Sequence, residues 1–297
     1  MELLVIAGPT ACNKSQIGIK LAKKLNGEII SADSMQIYKH MDIGTAKTKN
    51  TEGVTHHLID IIYPNEPFSV AQYQTIAKKA IKQIIGRGKL PILVGGSGFY
   101  INSIIFNTKF ETISNNTNYR DYLYNLHNEK GTEYLYNMLY KVDYSYASNN
   151  KYNVARIIRG LVFYHQTGRP ISSHNEEEAK RPILYNAKVL LLNMERELLY
   201  KNINNRVDSM IDEGLVNEVK FLLNKGYSSN LSPLKSIGYK EIVNYINGNT
   251  NLNQAIYEIK KNTRNFAKRQ LTWFRNKTPG TWVNNDLESI LFLIKSR

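Results

Sequence analysis

Eight residues near the start of the chain, Gly8-Pro9-Thr10-Ala11-Cys12-Asn13-Lys14-Ser15, are of the types that hold a phosphate. They match the pattern G-x-x-x-x-G-K-[ST] except at one position, where Asn13 replaces glycine. In such a loop the backbone N–H groups and the start of the next helix form an anion cradle. Lys14 adds a point charge, and Ser15 supplies a hydroxyl for Mg²⁺. Glycine at the substituted position serves a backbone with positive φ, and Asn is the other residue that tolerates this region well.

Three further groups carry potential chemistry. Asp33 opens Asp33-Ser34-Met35-Gln36-Ile37-Tyr38, where a carboxylate can act as metal ligand or general base, or can cap a turn. Gly95-Gly96-Ser97-Gly98 has three glycines that let backbone approach a ligand closely. Toward the C-terminus, Lys260, Lys261, Arg264, Lys268 and Arg275 share one helical face, which Leu271 interrupts. Leu252, Ile256, Ile259, Phe266 and Phe274 share the opposite face. Such a basic stripe can follow a phosphate backbone or stand as a solvated surface. Arg156 and Arg159 lie one helical turn apart and read the same two ways. His56-His57 has no third ligand at metal spacing, which favours a structural role, with Leu58–Ile61 as a short strand.

The elements that must position these groups follow from apolar patterning. A continuous apolar run ends at Gly8, as a buried parallel strand does. Ile17, Leu21, Ala22 and Leu25 then recur at helical spacing, with Gly27 as C-terminal cap and Glu28–Ala32 as a second strand. This β–loop–α–β start predicts an α/β fold, a P-loop doubly wound parallel sheet with a helical insertion domain. Ser69 is the expected N-cap of a helix whose buried stripe is Val70, Tyr73, Ala77, Ala80, Ile81 and Ile84. Leu90–Val94 is the next buried strand. The loops Gly8–Ser15, Asp33–Gln36 and Gly95–Gly98 therefore all fall at carboxyl ends of strands, where open α/β sheets bind ligands. From about 107 to 194 the chain turns rich in Tyr, Asn and charge, with helical periodicity and little strand signal. It reads as an insertion between a core of residues 1–106 and about 195–297. Thr281-Trp282-Val283 and Leu287–Ile294 supply a last strand and helix.

Bulk properties bound the function. The chain has 297 residues, a net charge of +14 and one cysteine. The charge suits a polyanionic partner, although a Lys- and Asn-rich composition throughout also contributes to it. A single cysteine cannot form an internal disulfide and suits a reducing, cytoplasmic setting. No apolar run approaches membrane-spanning length, and the first residues read as a strand and not as a signal peptide.

Taken in order and spacing, these motifs resemble the tRNA dimethylallyltransferase family. The phosphate loop, Asp33–Tyr38, Met41–Lys47, His56–Asp60 and Gly95–Tyr100 carry the resemblance. It continues through Arg156–Arg159, Arg206–Met210, Gly214-Leu215 and Ile237–Glu241, and ends with Thr263-Arg264, Ala267–Gln270 and Thr272-Trp273. It covers about residues 3 to 282, with no zinc-finger extension of the kind eukaryotic relatives carry, which implies a bacterial-type member. The resemblance implies a monomeric, Mg²⁺-dependent prenyltransferase. Its donor is dimethylallyl diphosphate, and its acceptor is N6 of the adenosine just 3′ of the anticodon in a tRNA stem-loop. Gly8–Ser15 would hold diphosphate, with Mg²⁺ at Ser15. Asp33 would be the base, Ser97 would orient the amine, and Arg206 would stabilise the leaving group. Contacts to tRNA would come from Asp33, Ser34, Met35, Gln36, Ser97, Arg120, Ala155, Arg156, Ile157, Ile158 and Arg159. The basic helix would add Arg264 and Lys268. The family usually has Ser-Gly in place of Cys12-Asn13, Thr in place of Ser97, Gln in place of Ala155 and Ala in place of Gly160.

Two other readings compete. A small-molecule phosphotransferase also pairs a phosphate loop with an Asp after the second strand, but leaves the basic helix and the insertion without a use. A tRNA-binding homologue that has lost catalysis would carry Asn13 as its mark.

Overall fold

A computed structural model of the chain describes residues 2–110 and 117–295. It divides into two compact units, a core of residues 1–105 and 183–297 and a helical unit of residues 106–182. Residues 111–116 of the expected insertion lie outside the described residues.

The core is built on one six-stranded parallel sheet. Its first elements are β1 (Leu3–Ala7), α1 (Lys14–Lys24), β2 (Gly27–Ala32), β3 (His56–His57), α2 (Val70–Gly86), β4 (Leu90–Gly95) and α3 (Gly98–Ile105). The helical unit contributes α4 (Thr117–Val142), α5 (Tyr144–Ser148), α6 (Val154–Thr167) and α7 (Ile171–Ala179). The core resumes with β5 (Ala187–Asn193), α8 (Arg196–Asp212), α9 (Leu215–Asn224), α10 (Tyr239–Ile246), α11 (Leu252–Lys277), β6 (Thr281–Asn284) and α12 (Leu287–Lys295). The strand order is β3-β2-β4-β1-β5-β6, with every pairing parallel. Every residue of β1 is fully buried, as a central parallel strand covered on both faces requires.

Register decides where the loops fall. Gly95 pairs with Ala7 on one side and with Ala32 on the other. Three strands thus end level, and Gly8, Gly96 and Asp33 leave the sheet side by side.

Several local expectations hold. Ser69 caps α2, accepting from the Gln72 N–H at 3.2 Å in a full capping box. The last strand and helix appear as β6 and α12. Others are corrected. The first helix ends before Gly27, with Asn26 as the left-handed residue at φ 50°, and Gly27 begins β2. The strand expected at Leu58–Ile61 is instead His56–His57, because Leu58 and Asp60 have φ of 64° and 56°. β5 lies inside the segment that periodicity assigns to helices. Its run Val189-Leu190-Leu191-Leu192 is buried beside β1, where apolar residues on both faces are needed.

The helical unit has its own core. Leu123, Leu126, Leu135 and Leu139 of α4 pack with Ala147, Ile157, Ile158, Leu161 and Val162. Gly160 lets α6 come close, since a Cβ there would sit 2.8 Å from Leu139 Cδ1. The unit holds ten Lys and Arg against eight Asp and Glu, so most of the net charge belongs to the core. Among the described residues no helix is long and apolar enough to cross a membrane.

One charge cluster around the buried Glu28 ties β2 to β3 at the edge of the sheet. Glu28 on β2 meets Arg87 at 2.6 Å, His57 at 2.7 Å and Lys89 at 3.0 Å. Burial alone would raise its pKa, but the hydrogen bonds from Arg87, His57 and Lys89 outweigh this and hold it down at about 2. Its stabilisation is then complete above the ordinary carboxylate pKa and disappears as pH falls from about 4.5 to about 2, a contribution of about 2–3 kcal/mol. Glu28→Gln should flatten the loss of stability across that acid window, measured by urea denaturation at a series of pH values; an unchanged pH profile would refute the assignment.

Candidate active site

The loop between β1 and α1 has the backbone its sequence implies. Asn13 sits at φ 61° and ψ 23°, in the left-handed region, and its side chain makes no capping hydrogen bond. Asn13 therefore serves by tolerating this conformation and not by bonding. Ala11 shares the left-handed φ of 61°, which costs a Cβ-bearing residue about 1–2 kcal/mol. Lys14 Nζ donates to the Pro9 carbonyl, and Cys12 Sγ lies 3.9 Å from it. Burial pushes the Cys12 thiol pKa up, so it is a packing group here. An open cavity of about 360 Å³ lies over the start of α1, with Asn13, Lys14 and Ser15 on one side and Asn202, Asn205 and Arg206 of α8 on the other.

A second cavity, of about 330 Å³, adjoins this loop. Its polar edge is Thr10, Asp33, Ser34, Ser97 and Gln270. Its apolar walls are Ile203, Val207 and Met210 of α8, Ile259 and Phe266 of α11, and Ile237 and Tyr239. Arg206 lines both cavities, the more polar one over α1 and the more apolar one. Burial pushes the Arg206 pKa down, while the negative charge of Asp33 props it up. Its Nη1 donates to Thr10 Oγ1 at 3.4 Å.

Asp33 follows β2 directly. Its Oδ1 accepts the Met35 N–H at 2.8 Å, which fixes the carboxylate in an Asx turn. Ser97 Oγ accepts the Ser34 N–H at 3.0 Å and donates to Ser34 Oγ at 3.2 Å. The β2 and β4 loops are thereby tied together. The glycines at the end of β4 and just after it are closely approached from within the protein. They give room to the protein's own parts. A Cβ on Gly95 would lie 2.1 Å from the Ala32 carbonyl oxygen. On Gly96 it would lie 2.4 Å from Gln270 Nε2, and on Gly98 it would lie 2.2 Å from Trp273.

The segment after Gln36 is fastened to the helices. Glu218 of α9 accepts the N–H groups of Asp42, Ile43 and Gly44 at 2.8, 2.7 and 3.1 Å. The Tyr239 hydroxyl donates to the same carboxylate at 2.7 Å. Burial and then the Glu218 charge push the Tyr239 pKa far up, which keeps the phenol a donor. Lys47, nearly buried, holds Asp42 at 2.7 Å and Asp60 at 2.6 Å.

Of the residues singled out from sequence, Thr10, Asp33, Ser34, Met35, Ser97 and Arg206 come together around one cavity. Gln36 is committed within the protein, accepting from Ser31 Oγ at 3.1 Å and donating to the Thr45 carbonyl at 3.3 Å. Ile157 and Ile158 are corrected. They are 0% and 2% exposed in the core of the helical unit, so their side chains cannot reach a surface ligand. From that run Ala155, Arg156 and Arg159 are exposed, as is Arg120 on α4. The basic stripe of α11 is partly spent on α8. Lys260 pairs with Asp208 at 2.6 Å, and Arg264 donates to Asn204 at 2.8 Å. Lys268 remains exposed, and Phe266, expected on the buried face, is 37% exposed at the cavity. Among the described residues no group of three His, Cys, Asp or Glu could hold a metal.

Sequence reasoning missed the apolar half of the cavity, and it missed Gln270 and Glu218. Gln270 had a readable signal, because it is a polar residue in register with Ala267 and Phe274 on the buried stripe of α11.

Asn13→Gly should leave stability within about 1 kcal/mol of the parent, whereas Asn13→Val should cost about 1–2 kcal/mol because a β-branched residue is forced into left-handed backbone. Chemical denaturation of the three proteins checks this; equal stability of the Val variant would show that the loop does not need that φ.

Comparison with known proteins places the chain in a family. Residues 36–277 match the family model described as IPP transferase. The chain is 46% identical over 288 residues to a tRNA dimethylallyltransferase of Acetivibrio thermocellus, covering 96% of this chain and 92% of that one. A crystal structure of the full-length tRNA isopentenylpyrophosphate transferase of Bacillus halodurans has a TM-score of 0.72 at 43% identity, covering 98% of this chain and 93% of the other. A crystal structure of a eukaryotic dimethylallyltransferase acting on tRNA has a TM-score of 0.81 at 30% identity, covering 97% of this chain and 74% of the other. With its parallel sheet and these matches over most or nearly all of its length, the chain belongs to the tRNA dimethylallyltransferase (IPP transferase) family.

Proposed function

We propose that this chain transfers a dimethylallyl group from dimethylallyl diphosphate to N6 of the adenosine 3′-adjacent to the anticodon of tRNA, position 37, releasing diphosphate. The carrying observation is that Arg206 lines two chambers, one more polar and open, the other mainly apolar. A donor with an anionic head and a short hydrocarbon tail fits that division. A phosphotransferase for a small polar molecule has no use for the walls of Ile203, Val207, Met210 and Phe266.

The reaction replaces a C–O bond by a C–N bond. The N6 lone pair is delocalised into the adenine ring, so removing its proton during attack helps the step. Asp33 takes that proton, with Oδ1 held by the Met35 N–H. Ser97 orients the amine. The electron pair of the broken bond leaves on diphosphate. There the Gly8–Asn13 phosphate loop, the first turn of α1, Lys14 and Arg206 stabilise the growing charge. Apolar walls keep water from the allylic carbon. The target base must leave its stack to enter, which costs about a few kcal/mol and least in a single-stranded loop.

The residues present fit Mg²⁺. This ion keeps several waters and takes ligands from substrate phosphates, so it needs few protein oxygens. The Ser15 hydroxyl, with Thr48 on the same chamber, provides such oxygens. When bound, the ion would neutralise charge on the diphosphate.

Exposed Arg120, Ala155, Arg156 and Arg159 on the helical unit and Lys268 on α11 are the surfaces proposed for the RNA. We assign the chain to the cytoplasm, acting as a monomer.

Labelled dimethylallyl diphosphate, Mg²⁺ and an anticodon stem-loop test the reading directly. Asp33→Ala should reduce transfer by about 10²–10⁴-fold while RNA binding persists. RNA binding without any transfer by the parent protein would mark a lapsed enzyme, and ATP turnover without RNA would mark a phosphotransferase. Arg206→Gln should lower kcat/KM for the donor by about 10²-fold, since it removes a preorganised charge from the leaving group; a change confined to the KM for RNA would contradict its place at the diphosphate.

A further inference from the structure

The donor and acceptor sides of the site arise from different strands, and a single side chain joins them. Gln270 of α11 is 7% exposed. Its Oε1 accepts the Thr10 N–H at 2.8 Å, and its Nε2 donates to the Gly96 carbonyl at 2.9 Å. Thr10 belongs to the loop that cradles the donor and accepts from Arg206. Gly96 precedes Ser97, whose hydroxyl holds Ser34 beside Asp33. Gln270 thus uses one carboxamide to fix the distance between the leaving-group machinery and the base. An amide suits this, because one end must accept while the other donates. Glycine at position 96 is what admits it, since a Cβ there would meet Nε2 at 2.4 Å.

We propose that Gln270 is a positioning residue for prenyl transfer, setting the approach of the allylic carbon to the acceptor nitrogen through the two loops it joins. The proposal rests on the reaction assigned above. Its physical basis is geometric. Both substrates bind through their own loops whether or not the loops are joined, so binding is preserved when the tie is cut. Alignment is not preserved, and a misplacement of about 1 Å can cost about 10²-fold in rate.

The test uses Gln270→Glu at a pH where the carboxylate is ionised, which keeps the shape and still accepts from Thr10 but cannot donate to Gly96. The expected result is a kcat about 10- to 100-fold lower, with KM for donor and for RNA stem-loop within about 3-fold of the parent. Gly96→Ala, which crowds the amide from the other side, should reproduce this loss. The double variant should lose little more than either single one, as residues acting as a unit do. A rise in KM with kcat unchanged, full activity, or additive losses would overturn the proposal. A readout independent of turnover separates this proposal from the assigned reaction. In Gln270→Leu, amide hydrogen exchange should rise in both residues 8–15 and residues 95–98. A rise in one loop alone, or in neither, would overturn the tie even if transfer by the parent protein were never seen.

Discussion

The level ending of three parallel strands is the constraint on which the rest of the site depends. Gly95 is in register with Ala7 and Ala32 together, and the Ala32 carbonyl comes so near that no side chain fits at position 95. A one-residue shift of β4 would turn its side chains to the opposite face and carry Ser97 away from Asp33. The burial of β1 and β4 on both faces fixes that register, since every residue of β1 is out of contact with water. Chemistry at the rim is therefore specified by packing in the middle of the sheet.

Helices from the second half of the chain then complete what the strands begin. α8 brings Arg206 and three apolar side chains, and α11 brings Gln270, Ile259 and Phe266. Two of the cations on α11 are held against α8 by Asp208 and Asn204. That face of the helix is thus partly an internal seam, and its formal charge overstates what an RNA backbone would meet. The surplus of positive charge lies in the core and not in the helical unit, which is nearly balanced.

Much of this was legible in the sequence, for identifiable reasons. Continuous apolar runs gave β1, β2 and β4, and the rule that ligands gather at strand ends located Thr10, Asp33 and Ser97 on one edge. The conformational tolerance of Asn predicted its left-handed backbone at position 13. β5 escaped because its apolar stretch is short and embedded in helical periodicity. β3 was misplaced because it consists of two histidines, one of them held by Glu28. The apolar half of the cavity was invisible, since Ile203, Met210 and Phe266 meet only through tertiary packing. The glycines at positions 95–98 read as a place where a ligand comes close, and the neighbours they have within the protein are Ala32, Gln270 and Trp273, which no periodicity names.

The Glu218 clamp has a consequence for selectivity within the protein itself. Three converging N–H groups from Asp42, Ile43 and Gly44 form a concavity that attracts anions, much as the start of α1 does. By filling it with an internal carboxylate, the fold closes that concavity to any anion from outside. An acidic side chain on a neighbouring helix thus takes the place that an outside anion would otherwise find.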